Sequence, residues 1–186
     1  MEIQGIRPAL LAADGNNLKR RELEAQFEHL LRDHAPSIAR LASAYERDPS
    51  HRDDLVQEIA LALWKALPGF RGDCSERTLV FRIAHNRAVT HVDRSRRSAA
   101  VDLDDAPPLA DIRATPEIQA SAGELRERLL EAVRELPVGF REAIVLLLEG
   151  MTHSESGDVL GISEGNVAVR VTRARKILKE RLGGLR

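Results

Sequence analysis

The chain has 186 residues, of which 43% are hydrophobic, 31% charged and only 3% aromatic, a globular composition suited to one domain or two small ones. So few aromatics and β-branched runs speak against an all-β sandwich, and a single cysteine, Cys74, excludes an internal disulfide and any zinc site built on cysteines. The formal net charge of -1 excludes little, because binding answers to local field rather than to the total. No apolar run approaches the ~20 residues that span a bilayer. The opening "MEIQGIRPALLAADGNN" lacks the basic flank and apolar core of a secretory signal. A cytoplasmic protein without membrane insertion is therefore expected.

Residues 1–21 are expected to form a flexible extension, since Gly, Pro and Asn interrupt any period up to Asn17. Helical spacing then starts with Leu23, Phe27, Leu30 and Leu31, is interrupted at Pro36, and resumes at Ile38, Leu41, Ala42 and Tyr45. This predicts two helices or one sharply kinked. "DDLVQEIALALWKALPGF" is the clearest helix. Leu55, Ile59, Leu63 and Leu67 recur every four residues, Asp53 and Asp54 suit a helix start, and Pro68 with Gly69 stops it. "RGDCS" reads as a loop. "ERTLVFRIAHNRAVTHVDRSRR" returns to helix through Val80, Ile83, Ala84, Ala88 and Val92.

Residues 98–121 break the pattern. Between 98 and 119 there are three prolines and five acids against one Arg, the composition of a linker without a core. Beyond it, Leu125, Leu129, Val133 and Leu136 form one stripe, and Phe140, Ile144, Leu147 and Leu148 another behind Pro137. The prediction is an all-α chain of two small helical bundles, residues 22–97 and 122–186, joined by a flexible acidic linker.

The last two helical units carry the chemistry. In "THSESGDVLGISEGNVAVRVTRARKILKERL", Thr152 or Ser154 suits a helix cap, the small Gly157 a close approach of the two helices, Gly161 a left-handed turn, Ile162 a corner plug and Ser163 a second cap. This is helix-turn-helix spacing. From Glu164 to Arg186 there are seven Lys or Arg against two Glu. Val167, Val171, Ala174 and Leu178 share a core face, and Asn166, Arg170, Arg173, Arg175, Lys176 and Lys179 are assigned to a face that meets phosphates and base edges in a major groove. Residues 71–97 form a second basic zone, with seven Arg against three acids.

With these phrases in this order, the chain resembles the extracytoplasmic-function group of bacterial sigma factors, the promoter-recognition subunits of RNA polymerase. "DDLVQEIALALWKALPGFRGD", "RTLVFRIAHNRAVTHVDRSRR", "VRELPVGFREAI" and "VRVTRARKILKERL" carry the resemblance over residues 22–97 and 122–183. It implies that the first bundle is sigma region two and the second sigma region four. Core polymerase, through its β′ and β subunits, promoter DNA and an anti-sigma factor are the implied partners. Asp54, Gln57, Leu61 and Lys65, a second stripe on their helix, would then face polymerase.

The loop Gly72–Glu76 and the following helix are implied to melt and read the minus-ten element. Asp73 lies in that loop, Asn86 faces the captured strand, and Arg82, Arg87, Arg94, Arg96 and Arg97 hold phosphates. Four positions depart from the family. Leu79 and Phe81 stand where a Trp and a Tyr are usual, which makes Leu79 a core residue in this reading. Ser156 replaces an aliphatic residue and Gly157 an alanine, both weakening the first helix of the motif by propensity.

An enzyme is not expected. The six histidines do not fall at ligand spacing, and neither a nucleophilic triad nor a glycine-rich phosphate loop is present. No metal or cofactor is called for. Two rivals remain: a dimeric helix-turn-helix regulator that footprints duplex DNA without polymerase, and a decoy that only sequesters an anti-sigma factor. The base-reading residues of the last helix are superfluous in a decoy.

Overall fold

Helical spacing in the sequence becomes helix almost throughout. The computed structural model describes residues 7–101 and 122–183. Among them run α1 (Arg7–Tyr45), α2 (Pro49–Ala66), a short 3-10 turn (Leu67–Gly69), α3 (Glu76–Val101), α4 (Ala122–Arg134), α5 (Val138–Leu148), α6 (His153–Leu160) and α7 (Glu164–Leu182). No strand occurs among the described residues, so the architecture is all-α as expected. Most of the expected linker, residues 102–121, lies outside the described residues, as do residues 1–6 and 184–186.

α1 is a single 39-residue helix with Pro36 inside it. Leu30 on one side of the proline and Ile38, Leu41 and Ala42 on the other are all buried. Packing on both flanks holds the helix together although proline removes one backbone bond. The helix also begins upstream of where periodicity starts, with Pro8 in its first turn, a position proline tolerates.

α2 starts a turn earlier than Asp53 and Asp54 suggest. Asp48 is the cap, its carboxylate accepting from the amides of Ser50 at 2.8 Å and His51 at 3.1 Å, and Pro49 occupies the first helical position. Leu55, Ile59, Leu63 and Leu67 are buried against α1 and α3. From α3, Val80, Phe81, Ala84 and Ala88 close this first core.

In the second bundle Val133, Leu136, Ile144, Val167, Val171, Ala174 and Leu178 are buried. Of the expected stripes, Leu129, Phe140 and Leu147 are half-buried, and two members stand exposed. Leu125 is 58% exposed and Leu148 61%. Leu148 borders an apolar groove with Leu129, Leu130 and Val145, and α1 closes its side through Arg40 and Ala44.

The two bundles touch, α1 against α4 and α3 against α6 and α5, and several arginines bond across the contact. Arg40 grips the Glu149 carboxylate with bonds of 2.8 and 2.6 Å. Arg77 donates to the Glu149 carbonyl. Arg82 donates to the Asp158 carbonyl at 2.7 Å and Arg134 to the Ser43 carbonyl at 2.9 Å. The Arg141 guanidinium lies 5.3 Å from the centre of the Tyr45 ring and donates to the carbonyls of Arg134 and Leu136, which end α4.

Candidate nucleic-acid interface

The turn between α6 and α7 is built from its caps. Thr152 Oγ1 accepts from the Glu155 amide at 3.2 Å, and the Thr152 amide donates to Glu155 Oε2 at 2.7 Å, a closed capping box. α6 ends at Gly161, whose φ of +66° is left-handed and so favours glycine. The amides of Gly161 and Ile162 both donate to the Gly157 carbonyl. Ser163 then caps α7, accepting from the Asn166 amide at 3.3 Å.

Gly157 has a stronger reason than tolerance. A Cβ placed there would sit 2.7 Å from the Ile162 carbonyl oxygen, so the missing side chain is what lets the turn fold back on α6. The small residue here is expected both to weaken α6 by propensity and to let the two helices approach, and the structure shows that close approach. Ser156 is also more than a weak helix former: it is buried, and its hydroxyl has no hydrogen-bond partner.

α7 is thereby held with Val167, Val171, Ala174 and Leu178 inward, against α5 and α6. Asn166, Arg173, Arg175, Lys176 and Lys179 are exposed, as assigned. Arg170 differs. It is half-buried, with its guanidinium 3.7 Å from the Glu142 carboxylate and packed over Gly139. Burial pushes the Glu142 carboxyl above its usual range, and the Arg170 charge offsets part of that rise. Arg170 therefore ties α7 to α5 and does not stand on the outward face.

In the first bundle Asp54, Gln57, Leu61 and Lys65 are all exposed on α2, Leu61 at 53%. On α3, Asn86, Arg87, Arg94, Arg96 and Arg97 are exposed, and Asp73 is exposed in the preceding loop. The tertiary structure joins the two sets. Leu61, Ala62, Lys65 and Glu58 from α2 share one groove with Arg87 and Arg94 from α3, and Arg94 bonds Glu58 at 2.9 Å. Arg97 turns back to the Asp93 carbonyl at 3.2 Å.

Arg82 is committed to the second bundle through Asp158. Arg77, which the sequence reading did not single out, is committed through Glu149 and also lies 5.8 Å from the Phe81 ring centre. No local spacing distinguishes an arginine that will cross to another bundle. Leu79 is half-buried and stands outside the core cluster, which takes Val80 and Phe81 instead. The expectation that it is core is corrected. Among the described residues, no cluster of His, Cys, Asp and Glu could hold a metal, and no helix is long and apolar enough to cross a membrane.

Comparison with known proteins agrees with this layout. Residues 30–98 match the model of sigma-70 region 2, and residues 126–178 that of sigma-70 region 4. The RNA polymerase sigma factor CnrH of Cupriavidus metallidurans is 32% identical over 176 residues, covering 90% of this chain and 88% of that protein. Sigma factor NccH of Alcaligenes xylosoxydans is 32% identical over 155 residues, 80% of this chain and 82% of NccH. The ECF sigma-E factor of Escherichia coli K12 is 31% identical over 139 residues, 69% of this chain and 72% of sigma-E.

Among solved structures, CnrH in complex with the cytosolic domain of CnrY superposes with a TM-score of 0.63 at 29% identity, over 88% of this chain and 97% of that one. The sigma factor RpoE of Bartonella quintana, solved with the anti-sigma factor NepR, shares the fold with a TM-score of 0.68 at 21% identity, over 87% of this chain and 99% of that one. With both sigma regions matched in chain order, and relatives similar over most of its length, the chain belongs to the extracytoplasmic-function sigma factors of bacterial RNA polymerase.

Proposed function

We propose that the two bundles divide one promoter between them while the chain rides on core RNA polymerase in the cytoplasm. The exposed stripe Asp54, Gln57, Leu61 and Lys65 docks on the polymerase β′ subunit. Leu61 supplies an apolar contact that water disfavours. Beside it, Asn86, Arg87, Arg94 and Arg96 receive the strand opened at the minus-ten element, with Asp73 in the loop at its edge. The second bundle reads the minus-thirty-five duplex through α7. As the solved relatives were found with CnrY and NepR, an anti-sigma factor is the proposed regulator.

The observation that carries the DNA assignment is the orientation of α7. Its apolar face packs into the fold, while Asn166, Arg173 and Lys176 face water on the other side, and Arg173 and Lys176 make no ion pair among the described residues. A cationic face without internal use, behind a correctly capped turn, fits major-groove docking.

Run-off transcription with purified core polymerase on genomic fragments tests the whole reading. The chain should direct initiation from a small set of sites and give no strong footprint on DNA alone. A palindromic footprint without polymerase would favour a dimeric regulator. At the residue level, Arg173→Ala should weaken promoter duplex binding and reduce the slope of log affinity against log salt by about one. An unchanged slope would mean Arg173 meets no phosphate or base edge.

A further inference from the structure

One residue on the outward face of α7 is unlike its neighbours. Val169 is 47% exposed, and it lies two residues from both Val167 and Val171, which are buried at 0% and 2%. At 3.6 residues per turn it points almost directly away from the core. Asn166, Val169, Arg173 and Lys176 follow one another at steps of three, four and three, so they form a single line along the helix, and all four are exposed. A β-branched residue at an exposed helical position gains nothing from packing and is a poorer helix former than alanine.

A second observation points to the same side. Gly165, one residue before Asn166, has no heavy atom within 4 Å of where a Cβ would stand, and its φ is not positive. Neither packing nor backbone geometry calls for glycine there, and glycine is a poorer helix former than alanine. A bare first turn does allow an outside surface to come close. An amide, an isopropyl group, a guanidinium and an ammonium in one line match what a major groove displays: base-edge donors and acceptors, the thymine methyl, guanine and phosphate.

Resting on the sigma reading above, we propose that Val169 is a specificity-determining residue that recognises the C5-methyl group of a thymine in the upstream promoter element, between the bases faced by Asn166 and Arg173. Arg170, drawn back to Glu142, takes no part in this readout.

The test uses holoenzyme reconstituted from core polymerase and the full chain. Selection from duplexes randomised upstream should enrich thymine at one position. Replacing that thymine by deoxyuridine removes only the methyl group and should weaken binding three- to fivefold, the worth of about one buried methyl. Val169→Ala, which leaves the core untouched, should bind thymine and deoxyuridine duplexes equally well, while Asn166→Ala should keep the difference between them. The proposal is overturned if no thymine is enriched, if wild type ignores the methyl at every upstream thymine, or if Val169→Ala still distinguishes the two bases. A weakening by Val169→Ala that is equal on both duplexes would assign the valine to a protein contact instead. Failure of the holoenzyme to initiate from any selected sequence would bring down the sigma reading itself, whereas specific initiation without methyl sensitivity brings down this inference alone.

Discussion

Arg170 and Arg173 are three residues apart on α7 and end in different environments, one over Gly139 beside Glu142 and one in water. A turn of 3.6 residues places Arg170 beside the core face and Arg173 further round. His85 shows the same dependence on surroundings. It is 2% exposed, its Nδ1 is 2.9 Å from the Tyr45 hydroxyl, and its Nε2 has no partner. Burial pushes its pKa down from 6.5 to about 3, so the ring is neutral in the fold. Between those two values the unfolded chain binds a proton that the folded chain refuses. Stability should therefore fall as pH drops below about 6.5, by up to about 1.4 kcal/mol per unit. Thermal midpoints at pH 7.5 and pH 5.5 check this. His85→Gln, which keeps a polar partner for Tyr45 and does not titrate, should show a flatter profile than wild type. Equal profiles for the two proteins would dismiss His85 as the source.

At the scale of the element, the α6 turn sets two effects against each other. Gly157→Ala improves helix propensity by about 1 kcal/mol, yet it places a methyl group against a backbone carbonyl at 2.7 Å. Backbone cannot swing aside as a side chain does, so the clash should win and the net change should be a loss of about 1–3 kcal/mol. Ser156→Ala, one residue earlier, deletes a buried hydroxyl without a partner and should raise stability by about 1 kcal/mol. Urea unfolding of both variants decides the pair. If both move in the direction of helix propensity, the close approach at Gly157 is not real. Ser156 touches neither the turn's close approach nor the outward face of α7, so promoter preference should survive in Ser156→Ala.

Across the whole molecule, the contact between bundles draws on Arg82, an arginine that the family resemblance assigned to the opened strand. Arg82 spends one of its five guanidinium donors on the Asp158 carbonyl and is tied to the second bundle by it. Across the boundary Arg40 reaches one carboxylate, and Arg77, Arg82 and Arg134 reach three carbonyls; hydrogen-bonded contacts of this kind permit relative motion more readily than large apolar ones. Glu149 is the hub, since its carboxylate takes Arg40 and its carbonyl takes Arg77. Glu149→Ala removes the Arg40 bonds and leaves the arginine, already 53% exposed, in water. The unbound chain should then show a larger radius of gyration in solution scattering, with helix content unchanged. An identical scattering profile would mean that other contacts suffice to hold the bundles together.

Local periodicity by itself determined much of this protein. The stripes Leu55–Ile59–Leu63–Leu67 and Val167–Val171–Ala174–Leu178 are buried as their spacing required, because a helix of 3.6 residues per turn brings such positions to one side whatever it packs against. Thr152, Gly161 and Ser163 were legible for the same reason, since a cap acts within its own turn. The start of α2 was misplaced at Asp53 and Asp54, whereas Asp48 caps the helix and Pro49 opens it. Tertiary structure alone decided the continuity of α1 through Pro36, the retreat of Arg170 to Glu142, the exposure of Leu125 and Leu148, and the crossing of Arg77 and Arg82 to the other bundle. Each of these depends on what lies on a neighbouring element far away in the chain, and spacing along one helix carries no record of that neighbour.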